Sequence, residues 1–211
     1  MNQDVRFAAV ILAAGMSTRL GKPKQLLQIA GKSMLEQAIT ATRGAGMDTP
    51  VLVIGAFADE ILQTVKLVAK CQIIHNLNFA QGQATSLIAG VRAILGKCDA
   101  ALFMLADQPF IDAPFIIELM NQYVEHKPDL LCPVYRNQRG NPVIISAHLF
   151  PRLLHATGDQ GARFLFADET LNRHAYEVNN KAIITDVDTW DDYLTALDTA
   201  TTCSHLKEED S

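Results

Sequence analysis

Hydrophobic positions along the chain come as short apolar runs separated by segments of helical period. Phe7 to Ala14 is apolar without a break, the pattern of a strand buried on both faces of a parallel sheet. Ser33 and Glu36 then form an S-x-x-E capping box, which predicts a helix over Met34 to Arg43 that Gly44 and Gly46 end. Val51 to Ala56 reads as the next strand, Asp59 opens a helix through Val68, and Cys71 to His75 makes a third strand. A helix over Ser86 to Leu95 and an apolar strand over Ala100 to Ala106, ending at Asp107, continue the series. Strict alternation of this kind gives a parallel sheet with right-handed crossovers.

The second half is less regular. Pro114 suits the start of a helix through Tyr123, after which Leu130 to Tyr135 and Val143 to Ser146 flank a turn at Asn137 to Asn141 and read as a hairpin laid on the sheet. Short helices are expected over Leu149 to His155 and Ala162 to Ala167, then strands over Ala175 to Val178 and Ile183 to Val187. Thr189 and Asp192 start the last helix, and the polar stretch Thr201 to Ser211 reads as a frayed, flexible tail to a single domain spanning 1–200.

Composition narrows the function classes. With 211 residues, 49% hydrophobic and 19% charged, the chain suits one soluble domain with a substantial core. A net charge of −5 gives no support to sequence-independent nucleic-acid binding. Cys71, Cys98, Cys132 and Cys203 show no C-x-x-C pairing, and the six histidines lack zinc-ligand spacing. The longest apolar run, Phe7 to Met16, is well short of the ~18 residues that suggest a membrane span, and the expectation is a cytoplasmic protein without nucleic-acid or membrane partners.

The chemistry is concentrated after the first strand, in V-I-L-A-A-G-M-S-T-R-L-G-K-P-K-Q-L-L from Val10 to Leu27. Gly15 lets the backbone turn sharply and approach a ligand, and Met16 to Leu20 can aim successive N–H groups at one anion. Arg19, Lys22 and Lys24 follow, with Pro23 keeping Lys22 extended. A P-loop is excluded, because five residues separate Gly15 from Gly21 and Pro23 follows Lys22. The dinucleotide fingerprint fails as well, since Ser17 stands where its second glycine belongs.

Leu12, Ala13, Ala14, Gly15, Ser17, Arg19, Gly21 and Lys24 are in register with the L-A-A-G-x-S-x-R-x-G-x-x-K motif that opens the nucleotidyltransferases of the molybdenum cofactor family, which the segment resembles. Further segments in the family's order extend the resemblance from residue 10 to residue 190. Asn76 to Ser86 is similar to the family's N-x-x-x-x-x-G-x-x-x-S segment around base and ribose, which implies nucleotide roles for Asn76, Gly82 and Ser86 beside those of the first loop. Asp107 in A-D-x-P looks like the metal-binding motif, and Asp188 in D-V-D-T is either a helix cap or a second ligand that Asp186 could replace. Trp190 departs from the proline usual after this threonine. Gly158 to Arg163 resembles the G-D-x-G-A-R element of the cytidylyltransferase branch, implying acceptor contacts from Asp159 and Arg163 and, by position, from Asn141 in Gly140-Asn141-Pro142, where relatives often carry G-H-P.

What the resemblance implies is a single-domain, Rossmann-like α/β fold with a mostly parallel sheet flanked by helices. The implied reaction is transfer of CMP from CTP to the terminal phosphate of a molybdenum-bearing molybdopterin, with Mg²⁺ as cofactor and Arg19, Lys24 and Asp107 as the catalytic set. A molybdoenzyme or its chaperone would receive the product. Two alternatives remain open from the sequence: a nucleotidyltransferase acting on a sugar or polyol phosphate, and a non-catalytic nucleotide-dependent chaperone that delivers cofactor.

Overall fold

The fold is organised around its first strand, β1 (Phe7–Ala13), whose unbroken apolar run is covered on both faces. The computed structural model describes residues 5–209, with side chains through Thr202. In chain order follow a small hairpin of β2 (Gln28–Ile29) and β3 (Lys32–Ser33), then α1 (Met34–Gly44), β4 (Val51–Ile54), α2 (Ala58–Thr64), β5 (Gln72–His75), α3 (Gln83–Ile94) and β6 (Ala100–Leu105). The second half adds α4 (Ala113–His126), β7 (Leu130–Tyr135), β8 (Gln138–Arg139), β9 (Val143–Ser146), α5 (Phe150–Leu153), β10 (Arg173–Glu177) and α6 (Trp190–Glu209).

The main sheet has the order β10-β7-β9-β6-β1-β4-β5, with β8 pairing on β7. β1 pairs in parallel with β4 and β6, while β9 is antiparallel to both β6 and β7. From β1 the chain winds outward through β4 and β5, then returns by α3 to β6 on the opposite side of β1. The sheet therefore changes winding direction between β1 and β6, and a crevice at the carboxyl ends of those two strands is where such sheets receive ligands.

Two apolar layers hold the helices on. On one face Leu35, Ile39, Ile61, Ile116 and Leu119 pack against Ile11, Leu52, Leu102 and Met104; on the other Leu87, Val91, Phe150 and Leu153 pack against Val10, Val53 and Phe103. Alternate residues of β1 serve opposite layers, which is why its sequence shows no polar positions. Gly90 lets α3 lie directly on β1: a Cβ there would come 2.4 Å from Val10 Cγ1.

Local chemistry explains the helix ends. The expected capping box of α1 is formed, with Glu36 N donating to Ser33 Oγ and Ser33 N to Glu36 Oε2. Asp112 caps α4, which runs past Tyr123 to His126 and stops at Lys127 in the left-handed region (φ 46°). Thr189 and Asp192 exchange hydrogen bonds at the start of α6 as expected. The helix expected through Val68 instead ends at Thr64, because Val65 turns extended and buries its side chain before a 3₁₀ turn over Lys66–Lys70.

Four further expectations need correction. The pair 130–135 and 143–146 is antiparallel as expected, but both strands lie within the main sheet, since both faces of each are apolar and need cover. Ile183 to Val187 forms no strand: Asn180 caps a 3₁₀ turn over Lys181–Ile184, and the backbone there is pinned by Asn141 N donating to Ile183 O and Val187 N donating to Asp107 O. The short helices expected over 149–155 and 162–167 are reduced to α5, preceded by a 3₁₀ turn, and to a 3₁₀ turn over Arg163–Ala167. Of the polar stretch 201–211 expected as a tail, the backbone through Glu209 continues α6, while side chains beyond Thr202 and residues 210–211 lie outside the described residues. No helix among the described residues is long and apolar enough to cross a membrane.

Candidate active site

The loop after β1 is shaped from within by two of its own side chains. Ser17, in the left-handed region at φ 49°, accepts backbone hydrogen bonds from Leu20 and Gly21, and its Oγ accepts from Lys24 N. Gln25, 2% exposed, donates its amide to Ala13 O at 3.1 Å and to Gly15 O at 3.3 Å, tying the strand end to the glycine turn. Gly55, at the end of β4, leaves no space beside this turn, since a Cβ there would lie 2.8 Å from Ala14 Cβ and 2.9 Å from Phe79 Cβ. These constraints direct Lys24 inward and leave Arg19 and Lys22 outside. Lys22 Nζ lies 5.9 Å from the centre of the Trp190 ring, a cation–π contact.

Lys24 is the electrostatic centre. Its Nζ donates to Asp107 Oδ2 at 2.5 Å and to Asp188 Oδ1 at 2.7 Å, and Arg19 approaches the other oxygen of Asp188 at 3.0 Å. Burial alone would lower the pKa of the ammonium, but the two carboxylates outweigh it and hold the group above its ordinary value. The hydrogen bond from Lys24 likewise holds Asp188 below the usual carboxylate range, against partial burial. Asp186 behaves oppositely: burial, then the negative charge of Asp107, push it up, and its side chain is engaged with Gln108 Nε2 at 2.6 Å. Asp188, not Asp186, therefore faces Lys24.

A divalent cation fits this donor set. Asp107 Oδ1 is buried without a hydrogen-bond partner among the described residues, and the Lys24 ammonium stands between Asp107 and Asp188, where positive charge is required. No group of three or more Asp, Glu, His or Cys side chains suited to a metal occurs among the described residues, so the protein would supply two carboxylates and a bound phosphate the remaining oxygens.

A cavity of ≈ 500 Å³ opens between the carboxyl ends of β1 and β6, lined by Leu12 of β1, Ala14, Gly15 and Lys24 from the first loop, Gly82, Gln83 and Ser86 from the start of α3, Asp107, and Asp159. Asn76 does not line it. Its amide donates to Thr85 Oγ1 and Ser86 Oγ while its Oδ1 accepts from Asn78 N, so this buried side chain braces the loop that carries Gly82. Ala13 and Ser17 likewise act within the loop framework, and Asp188 reaches the site through Lys24. A smaller adjoining cavity of ≈ 100 Å³ shares Leu12, Gln83 and Leu105 with the first and is lined further by Asn141, Gln160, Arg163 and Phe166. Arg139 stacks on Phe166 with its guanidinium carbon 4.7 Å from the ring centre. The candidate residues that line a cavity thus fall into two adjoining hollows, with Arg163 and Asn141 apart from the Lys24 cluster.

Sequence reasoning missed Gln25, Gln83 and Gln108. A signal existed for the first: Gln25 is the polar member of K-Q-L-L, immediately after the site lysine, and a glutamine buried there needs polar partners.

A parallel sheet with its crevice at the winding reversal, a glycine turn and a lysine held between carboxylates are the features of a nucleotide-handling α/β enzyme. Residues 9–176 match the MobA-like NTP transferase domain, and the chain belongs to that family of nucleotidyltransferases. It is similar to nicotine blue oxidoreductase of Paenarthrobacter nicotinovorans, 29% identical over 190 residues that cover 85% of this chain and 91% of that one. It is also similar to the molybdenum cofactor cytidylyltransferase of Escherichia coli, 26% identical over 190 residues, covering 89% and 93%. Among solved structures, the complex of Rv0371c from Mycobacterium tuberculosis with manganese superposes with a TM-score of 0.79 at 25% identity, covering 92% of this chain and 98% of that one.

Proposed function

We propose that the protein transfers CMP from CTP to the terminal phosphate of a molybdopterin-type acceptor and releases pyrophosphate. The observation that carries this reading is the Lys24 ammonium between Asp107 and Asp188 at the mouth of the larger cavity, with the Arg163-lined hollow beside it. The similarity to the Escherichia coli cytidylyltransferase supports the nucleotide and the acceptor class, as does Ala13-Ala14-Gly15 in the first loop.

An acceptor phosphate attacks the α-phosphorus of the nucleotide in line. A new P–O bond forms as the bridging bond to the β-phosphate breaks, and the electron pair leaves with pyrophosphate. The nucleophile is already anionic, so no general base is required and the protein's work is positioning and charge neutralisation. The amides of the Gly15 loop and Lys24 hold the triphosphate, and Arg19 neutralises charge from the exposed side. Asp107 and Asp188 would hold Mg²⁺, which when bound polarises phosphate oxygens; the manganese in the Mycobacterium structure is consistent with a divalent ion in this family.

Pyrophosphate release measured with CTP, GTP and ATP against a panel of phosphorylated acceptors tests the reading. CTP with a molybdopterin-type acceptor is expected to be fastest; a difference of one methyl in a pocket is worth only ~1–3 kcal/mol, so the preference need not be absolute. Equal turnover of CTP and GTP overturns the nucleotide assignment. Turnover with a sugar or polyol phosphate moves the acceptor, nucleotide binding without turnover favours a carrier, and an oxidoreduction without pyrophosphate release favours the activity named for the Paenarthrobacter relative.

A further inference from the structure

The helix α3 starts at Gly82, which has no side chain to cap it, yet its first amides are satisfied by a loop far away in sequence. Gln83 N donates to Asp159 Oδ1 at 3.1 Å, and Ala84 N donates to Gly158 O at 3.0 Å. The fit is close: Gly82 is at φ 109°, and a Cβ there would lie 2.8 Å from Asp159 Oδ1 and from Gly158 O.

We propose that Asp159 is a positioning residue rather than an acceptor contact, and that Gly158–Asp159 forms a clasp which caps α3 from outside and holds the Gly82–Ser86 face of the larger cavity in its nucleotide-binding shape. This rests on the reading of that cavity as the nucleotide site. The clasp has two consequences. With Gln83 N and Ala84 N both engaged and a carboxylate seated at the helix end, α3 offers no anion site, so the triphosphate is directed to the Gly15–Lys24 loop across the cavity. The same six-residue element then places Arg163 in the adjoining hollow, so Asp159 serves the nucleotide side and Arg163 the acceptor side.

Asp159→Ala and Asp159→Asn separate this from a role in ligand contact, because asparagine keeps the accepting oxygen and is an equally good cap while losing the charge. Amide hydrogen exchange at Gln83 and Ala84, and titration calorimetry with MgCTP, MgGTP and MgATP, are the measurements on the full chain. Asp159→Ala is expected to speed exchange at both amides and weaken nucleotide binding about fivefold, the effect of losing one helix cap from the binding-competent state. Asp159→Asn should restore both. Gly82→Ala pushes the clasp apart from the other side and should reproduce the alanine result, with thermal unfolding confirming that each variant is folded. Asparagine as damaging as alanine, or alanine with unchanged exchange and affinity, overturns the proposal. Wild-type protein that binds none of the three nucleotides overturns the functional reading instead, a result seen before any variant is compared.

Discussion

Lys24 and Asp188, 164 positions apart, meet at 2.7 Å and tie the first loop of the chain to its last. The contact depends on α6, whose Tyr193 hydroxyl donates to Gln28 O while Ala196 packs with Val187, Ile29 and Met34. The same lysine holds Asp107, so one ammonium compensates two carboxylates, one just after β6 and one in the loop before α6.

Lys24→Met keeps the stem and removes that compensation. Breaking a wholly buried pair costs about 3–5 kcal/mol, but Asp188 is 37% exposed and solvent screens it, so a smaller loss of stability is expected. A divalent cation should recover part of the loss by taking the position of the ammonium. Thermal melts with and without MgCl₂ check this: the variant's midpoint should rise more than the wild type's, and equal shifts would argue against a cation site at Asp107 and Asp188.

Asp107→Asn preserves shape but removes the charge of a carboxylate whose Oδ1 has no other partner among the described residues. Turnover should fall on the order of 10²-fold or more, with little change in folding. Asp188→Asn should cost less, because Asp188 is the more exposed of the two. Steady-state rates over a MgCl₂ series decide between this and a carrier, for which the wild type would show no turnover at any MgCl₂ concentration.

The parts of the site that follow strand ends were legible because the chain announces them locally: an apolar run, a glycine, then cations, and later an apolar run ending in Asp107. The capping box of α1 was legible for the same reason. What could not be read is what depends on distant partners. Gln25 acts on Ala13 and Gly15 through a fold in the loop, and Asp159 finds Gln83 across 76 positions. Ile183 to Val187 has a strand's composition, but its carbonyl and amide groups are claimed by Gln108, Asn141 and Asp107 in place of a ladder. The sequence favours Asp188 as the second carboxylate without excluding Asp186, and the contacts that separate them, Lys24 with Asp188 and Gln108 with Asp186, come from segments distant in the chain.

His174, on edge strand β10, lies against His126 of α4 with ring centres 4.1 Å apart and the rings tilted by 33°. Burial, then the neighbouring His126, hold its pKa below the ordinary value, with Glu125 opposing only in part. The native state therefore favours neutral His174, whereas the unfolded chain takes up a proton near pH ~6.5. Its contribution to stability is full above that pH and is lost as the pH falls below it toward the lowered native value. Urea midpoints measured from about pH 8 to pH 5 should fall in the wild type and fall less steeply in His174→Gln; parallel curves would show that other groups carry the dependence.

Arg163 lines the smaller cavity, is an exposed residue, and makes no ion pair or side-chain hydrogen bond among the described residues. Replacing it should therefore leave stability within about 0.5 kcal/mol of wild type, as for surface positions without partners. If it meets the phosphate or ring of the acceptor, Arg163→Ala removes a charge-assisted contact worth about 1.5–3 kcal/mol, which is roughly a tenfold or greater rise in the acceptor's KM. The nucleotide's KM should hardly change, since Lys24 and the Gly15 loop lie in the other cavity. Arg163→Lys keeps the charge but loses the planar fork, so its acceptor KM should fall between the two. Initial rates with each substrate varied in turn measure both constants. An acceptor KM untouched by either substitution would place Arg163 outside the reaction, and an equal rise for both substrates would mean that the two hollows are one site.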